Sequence, residues 1–538
     1  MPRFLHCFVI ATLAIAASWA WRGRPVAMPP APLSETEKLY CLSYAPFRGS
    51  QSPFQPGLRI PAAQIEEDLA ALARVTDCVR IYAVDMGLEQ VPAIAARYGL
   101  KVLLGIWISG TPHDNRAQIK AGVALANRYR KTVRAVIVGN EVLLRRDLPA
   151  EALEDLIRDV RAQVSVPVTY ADVWEFWLQH RELARAVDFV TVHILPYWED
   201  KPVRAEHAAE HITNIRAHVA NAFADKEIII GEAGWPSAGR MREGALPSPV
   251  NQARVIHELA AAARAGRFRV NLIEAFDQPW KRRLEGTVGG AWGVLPVDRT
   301  RARVAWGRAV SNAPWWPWAV LGGVLLGAMI FGSAEFCRRR AGRPFFNSRA
   351  LLRLTVLASL SGALAGTVVE ALVLEAYSFS GWSRSVGLTA VALLAPLLAA
   401  SALGAGDTLP TLAGVLGPPA TRTRKPLERM LGWLLVALLV LAGESALGLC
   451  FNPRYLDFPW ASLTLASISL ALLPGGSPPS RLVLAERLFA LLCVACGVRI
   501  VLNETWLNWQ ATWLVASLLL LGVTLSRAYP GRSPTAAR

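Results

Sequence analysis

Two glutamates stand directly after apolar, β-rich runs. Glu141 follows Val136-Ile137-Val138-Gly139-Asn140, and Glu232 follows Ile228-Ile229-Ile230-Gly231. A carboxylate at the end of a buried strand is held rigidly, and two of them on opposed strands can face each other across a bound substrate. Glycoside hydrolysis with retention needs this arrangement. One carboxylic acid protonates the leaving oxygen, the other carboxylate attacks the anomeric carbon, and water or a sugar hydroxyl resolves the covalent intermediate. The two carboxyls must then stand about 5–5.5 Å apart, against about 6.5–9.5 Å for inversion. Crowding two acids raises one pKa, so one of them is expected to stay protonated near neutral pH. A lone strand-end glutamate would read as a helix cap or an arginine partner. Asn140-Glu141 together with Gly231-Glu232-Ala233-Gly234-Trp235-Pro236 favours the catalytic reading.

The elements that must position this pair are legible as alternating patterns. Short β-rich runs occur at Leu39–Tyr44, Cys78–Val84, Lys101–Ile108, Arg134–Asn140, Pro167–Asp172, Asp188–Leu195, Glu227–Glu232 and Val270–Asp277. Segments with helical spacing lie between them, such as Ala62–Arg74, Ala117–Tyr129, Ala150–Gln163, Ala205–Phe223 and Pro249–Ala265. Eight strands alternating with helices over about 250 residues predict a (β/α)8 TIM barrel of the α/β class, with its active groups at the C-terminal strand ends. A doubly wound open sheet would carry a Gly-rich phosphate loop after the first strand, and Tyr44-Ala45-Pro46-Phe47 is not one.

Around these glutamates the sequence resembles glycoside hydrolase family 17, the β-1,3-glucanases and β-glucan transglycosylases, over roughly residues 40–312. The resemblance is carried by Arg80-Ile81-Tyr82, Val138-Gly139-Asn140-Glu141-Val142, Pro196-Tyr197-Trp198, Gly231-Glu232-Ala233-Gly234-Trp235-Pro236-Ser237 and Glu274-Ala275-Phe276-Asp277-Gln278-Pro279-Trp280-Lys281. The last of these continues to Glu285 and Gly290-Ala291-Trp292-Gly293. It implies Glu141 as acid/base and Glu232 as nucleophile. Tyr82, Asn140, Tyr197, Trp235, Asp277, Lys281, Glu285 and Trp292 are the implied substrate-binding positions. Asn140 would bond the sugar beside the scissile bond, Tyr197 would orient Glu232, and Lys281 with Glu285 would form a polar pair, the alternative being a surface ion pair. Trp174, Trp198, Trp235, Trp280 and Trp292 read either as a stacking floor for glucose rings or as core. His193 reads as a polar packing residue. No His/Cys/Asp cluster has metal spacing, and neither a metal nor a cofactor is expected.

The second half is of a different kind. After Pro314 long apolar runs dominate, at 315–336, 351–376, 386–404, 431–450, 460–474, 482–502 and 509–526, the fifth being short. The expected organisation is a signal anchor or signal peptide at 1–22, a linker at 23–38, the barrel at 39–312 and an all-α multi-pass transmembrane domain at 313–538. Residues from Ser311 onward hold 18 Lys and Arg against 9 Asp and Glu, so +9 of the +16 formal charge belongs to this half. There the charge clusters at the ends of apolar runs, so nucleic acid is not the expected partner. Basic clusters (Arg338-Arg339-Arg340, Arg343 and Arg349; Arg422, Arg424, Lys425 and Arg429; Arg481; Arg527, Arg532 and Arg538) alternate with non-basic, aromatic loops. The positive-inside rule then puts the C-terminus in the cytoplasm and the barrel on the periplasmic or extracellular side. The membrane half resembles that of bacterial inner-membrane members linked to β-1,3/β-1,6-glucan synthesis. That resemblance implies transfer as well as hydrolysis, with β-glucan and membrane lipid as partners and a glucan synthase as a further one. The competing reading is a non-catalytic glucan-binding accessory of a membrane synthase or exporter.

Glu370, Glu375, Glu444 and Arg499 fall inside apolar runs, where charge is costly. They read as a polar patch able to contact glycan, or as interhelical pairs. Cys41 and Cys78, on neighbouring predicted strands, could form a bridge in an oxidising compartment or stay as buried thiols.

Overall fold

The computed structural model describes residues 2–527 apart from 35, 301, 302, 304, 305, 418–424 and 475–483. Among the basic positions used above for topology, Arg422, Arg424, Arg481, Arg532 and Arg538 lie outside the described residues. The chain divides into two compact units. One is Val26–Gly239 with Gly244–Val310, and the other is Met1–Pro25 with Arg240–Glu243 and Ser311–Arg538.

The first unit is a closed barrel of eight parallel strands in chain order: β1 (Cys41–Ser43), β2 (Cys78–Ile81), β3 (Lys101–Ile106), β4 (Val133–Asn140), β5 (Val168–Val173), β6 (Val190–His193), β7 (Ile228–Ala233) and β8 (Val270–Leu272). β1 pairs with β8 to close the ring. Each strand is buried on both faces, which is why the runs read as continuously apolar. Val79, Ile81, Val136, Val138, Val190, Val192, Ile228 and Ile230 pack outward with the helices. Cys41, Cys78, Leu103, Ala135, Ile137 and Ala171 form a separate interior cluster. Of the two alternatives for the cysteines, the disulfide is the one found: Cys41 and Cys78 are bonded across β1 and β2. Helix Ala150–Gln163 has the predicted bounds, and helix Pro249–Gly266 is capped by Ser248, whose hydroxyl accepts from the Asn251 N–H at 3.1 Å. The helix expected from Ala117 begins earlier, at Pro112, whose fixed φ suits a first helical turn.

Strand parity changes where it matters most. On β7, Ile228 and Ile230 face the helices, so strict alternation would point Glu232 the same way. The β6–β7 register instead skips one residue, from Val192↔Ile230 to His193↔Glu232, leaving Gly231 as the extra residue. On β4 the register with β5 steps from Ile137↔Thr169 to Asn140↔Ala171. That step contains Gly139, whose φ of 84° suits a residue without Cβ. Such bulges flip side-chain parity and re-aim the residues beyond them. Here they bring Asn140 and Glu232 to the inner side of the barrel mouth.

The second unit is all-helical. Six of its described helices are long and apolar enough to cross a membrane: Arg3–Gly23, Trp316–Arg340, Ser348–Glu375, Ser378–Ala405, Pro426–Phe451 and Trp509–Ser526. Trp460–Ala471 is apolar but short, as its sequence run suggested. Leu484–Glu504 is a further helix of this unit. The N-terminal helix is packed into the bundle. Trp19 Nε1 donates to the Gly362 carbonyl at 3.0 Å, and Ile15 rests on Gly323 and Gly362. Of the charges that fall inside apolar runs, Glu444 pairs with Arg384 at 3.0 Å, an interhelical bridge, and Arg499 is exposed on its helix. Arg240 is buried in this unit, paired with Glu504, with its guanidinium 4.6 Å from the Phe458 ring centroid.

Candidate active site

Glu232, near the end of β7, is almost fully buried, whereas the Glu141 side chain keeps 24% of its surface exposed at the mouth. Glu141 itself stands at φ 54°, a left-handed conformation that costs a non-glycine residue about 1–3 kcal/mol. Its amide is held by the Ala171 carbonyl at 2.8 Å. One carboxylate oxygen of each glutamate and one ring nitrogen of His193 all lie within 4.8 Å of one another. That separation is close to the about 5–5.5 Å of retaining glycosidases and below the about 6.5–9.5 Å of inverting ones.

Each carboxylate has its own set of partners. Glu232 Oε1 accepts from Tyr82 Oη at 2.8 Å and from Arg80 Nη1 at 3.2 Å, with His193 Nε2 at 3.7 Å. Arg80 is 1% exposed and also donates to the Gly231 carbonyl at 2.8 Å and to Asn140 Oδ1. One guanidinium on β2 therefore ties together the residues re-aimed by both bulges. Burial and the Glu232 charge push the Tyr82 phenol well above its ordinary pKa, so it remains a donor. Glu141 Oε1 faces His193 Nδ1 at 3.1 Å. Burial alone would raise the Glu141 carboxyl, but His193, Arg145 and Arg80 outweigh it and hold the carboxyl below its usual value. The expectation that crowding leaves one acid protonated is therefore not met at Glu141, because an imidazole stands between the two carboxylates. Three potential ligand residues converge here, yet a divalent cation among them would sit against the Arg80 guanidinium.

The remaining predicted residues divide into two groups. Lys281 Nζ bonds Glu274 Oε2 at 2.9 Å, and Glu285 acts on it as a second negative charge. Burial pushes the Glu274 carboxyl up to about 7 against the opposing pull of Lys281, and burial also raises Glu285. Asp277 points elsewhere, to Arg303 and to the Gly293 N–H at 3.0 Å, and anchors the segment after β8. Tyr197 lies beyond the end of β6 and sits edge-on to Trp198, Trp235 and Trp292, with centroids 4.9–6.1 Å away. Trp235 exposes nothing and its indole donates to the Leu246 carbonyl at 3.1 Å, so it supports the mouth from below as core. Trp292 is nearly as buried.

Sequence reasoning passes over four contributors. Arg80 and Glu274 stand out there only as parts of motifs, and His193 as packing. The signal is present nonetheless: a charged or imidazole side chain inside an apolar strand must find buried partners or it destabilises the fold. Trp107, just past β3, carries no such signal. It is 36% exposed at the barrel mouth, with the Arg145 guanidinium 4.3 Å from its ring centroid.

Residues 41–293 match the sequence model of the BtgE/BtgC glycoside hydrolase domain. A glucan 1,3-β-glucosidase of Candida albicans is 29% identical over 262 residues, 44% of this chain and 83% of that protein. One of Saccharomyces cerevisiae is 28% identical over 252 residues, 43% and 80% respectively. The solved glycoside hydrolase family 17 β-1,3-glucanosyltransferase of Rhizomucor miehei is 26% identical, covering 50% of this chain and 97% of that one, with a TM-score of 0.44. The domain match spans the barrel and agrees with the resemblance carried by its motifs.

Proposed function

We propose that the chain is a membrane-anchored retaining β-1,3-glucan hydrolase or transglycosylase, with Glu232 as nucleophile and Glu141 as acid/base. The observation that carries this reading is the close approach of two carboxylates of unlike setting at the mouth of the barrel. Glu232 is buried, oriented by Tyr82 and Arg80, and suited to attack the anomeric carbon. Glu141 is partly open, where a leaving group, water or an acceptor sugar can reach it. As the glycosidic bond breaks, Glu141 protonates the departing oxygen and Glu232 forms the glucosyl ester. In the second step Glu141 takes the proton of the incoming hydroxyl. Asn140, fixed through its Oδ1 by Arg80, has its amide nitrogen as the group that can donate to the sugar beside the bond. A sugar acceptor in place of water gives transfer, forming a β-1,3 or β-1,6 linkage.

The chain is membrane-associated, and we place it in a bacterial inner membrane. Its barrel would be outside the cytoplasm and its C-terminus inside, with the N-terminal helix retained as an anchor and a glucan synthase as a partner. The Cys41–Cys78 bridge supports an oxidising compartment for the barrel. The run Arg338–Arg340 at the end of helix Trp316–Arg340 supports a cytoplasmic end there. The packing of Trp19 and Ile15 supports retention of the first helix.

The test is turnover of β-1,3-gluco-oligosaccharides by the detergent-solubilised full chain, with products resolved by mass spectrometry and NMR. Glu232→Ala should abolish turnover. Retained cleavage or transfer in that variant would reject the mechanism, and no turnover by the unmodified protein would favour the accessory reading. Longer or branched products would mean transfer, and shorter ones alone hydrolysis.

A further inference from the structure

We infer that the proton delivered by Glu141 is held jointly by Glu141 and His193, so that the general acid is a carboxylate–imidazole pair with His193 as its positioning residue. This rests on the retaining reading above and extends it to a residue that the carboxylate pair alone does not require.

His193 ends β6 with no exposed surface, in register with Glu232 on β7. Its Nδ1 is 3.1 Å from Glu141 Oε1, and its Nε2 is 3.7 Å from Glu232 Oε1 and 3.4 Å from Arg80 Nη1. The groups acting on it come from four other strands. Arg80 on β2 opposes a positive imidazole, with the Tyr82 hydroxyl beyond it on Glu232. Just past β4, Glu141 favours the charged ring, as do Asp172 on β5 and Glu232 on β7. A buried imidazole at hydrogen-bond distance from Glu141 and 3.7 Å from Glu232 is poorly explained as packing, because an apolar side chain would fill that space without desolvating a ring with two polar nitrogens. The bridge does explain why Glu141 is held below its usual pKa although a general acid must carry a proton.

The step balances with a single proton. At rest it sits on Nδ1 of a ring whose Nε2 carries a second, fixed proton directed at Glu232 Oε1, and Glu141 is a carboxylate. With substrate bound, it shifts to Glu141 Oε1. The carboxyl then gives it to the glycosidic oxygen as the C1–O bond breaks, that electron pair goes to the oxygen, and Glu232 bonds C1. His193 is then neutral and Glu141 ionised. In the second half the incoming hydroxyl loses its proton to Glu141 as its oxygen bonds C1 and the Glu232–C1 bond breaks, and the proton returns to the ring.

The test uses the full chain in detergent with two substrates: a laminari-oligosaccharide, whose leaving oxygen needs a proton, and 2,4-dinitrophenyl β-laminaribioside, whose leaving group does not. His193→Asn and His193→Gln keep an amide donor but no mobile proton. For the oligosaccharide kcat/KM should fall about 100-fold or more, the usual worth of general acid catalysis, while for the dinitrophenyl substrate it should stay within about threefold. Equal losses on both substrates, or no loss on either, would overturn the pair. If both variants misfold, the unmodified protein decides. The basic limb of its kcat/KM profile on the oligosaccharide should move steeply with temperature, as imidazole ionisation does, and a limb that barely moves, as for a carboxyl, would overturn the inference. No oligosaccharide turnover by the unmodified protein would instead refute the enzymatic reading beneath it.

Discussion

Glu274 offers a prediction whose sign and size both follow from its setting. The carboxyl is 1% exposed, bonded to Lys281, and its pKa is pushed by burial from 4.5 up to about 7. A carboxyl whose folded pKa is raised binds its proton more tightly in the folded state than in the unfolded one. Its contribution to stability is therefore fully present below the unfolded value of 4.5 and is lost as pH rises through about 7. Integrating the linkage relation between those two pKa values gives a loss of about 2.5 kcal/mol between pH 5 and pH 8. For a domain of this size that corresponds to a fall of about 5–10 °C in unfolding midpoint. Glu274→Gln carries no ionisation, so its midpoint should lack this share of the pH dependence. Its absolute stability at pH 8 depends on how Lys281 fares without its partner, and only the difference between the two pH values is diagnostic. The assay is thermal unfolding of the detergent-solubilised chain followed by tryptophan fluorescence at both pH values. Parallel pH dependence in the two proteins would refute the reasoning, because it would mean that Glu274 is ionised in the folded state throughout.

Other substitutions probe the same mouth. Tyr82→Phe removes the hydroxyl 2.8 Å from Glu232, and since a hydrogen bond to a charged group is worth about 1.5–3 kcal/mol, kcat/KM on laminari-oligosaccharides should fall about 10- to 150-fold. An unchanged rate would mean that Arg80 alone orients the nucleophile. Gly231→Ala would put a Cβ 2.5 Å from Thr191 Cγ2 and 3.1 Å from His193 Cδ2, so the β7 bulge must shift. A folded protein with turnover reduced at least tenfold and a stability loss of about 1–3 kcal/mol is expected, and full activity would show that the bulge does not aim Glu232. Breaking the Cys41–Cys78 bridge, which spans 37 residues, by Cys41→Ser should destabilise the barrel by about 4 kcal/mol on the chain-entropy estimate. The readout is the midpoint of the barrel's thermal transition with and without reductant, and a reductant-insensitive midpoint in the unmodified protein would contradict it.

Much of this architecture can be read from local pattern. Eight β-rich runs with helical segments between them announce the barrel because strand and helix periodicity are short-range properties. The same holds for the long apolar helices, whose length and composition reflect the thickness of a bilayer. Glu141 and Glu232 are recognisable because each ends a buried run in a distinctive motif. Other features depend on what meets across the ring. Simple alternation would turn Asn140 and Glu232 toward the helices, and only the register between neighbouring strands shows that bulges at Gly139 and Gly231 turn them inward. Trp235 has the sequence setting of a sugar platform, yet packing places it wholly inside. His193, 52 residues from Glu141 in the chain, comes to lie 3.1 Å from it, and Glu274 rather than Glu285 is bonded to Lys281. Partner choice, burial and pKa arise from residues far apart in sequence, so they exist only once the barrel has closed, whereas periodicity and motif are carried by neighbours along the chain.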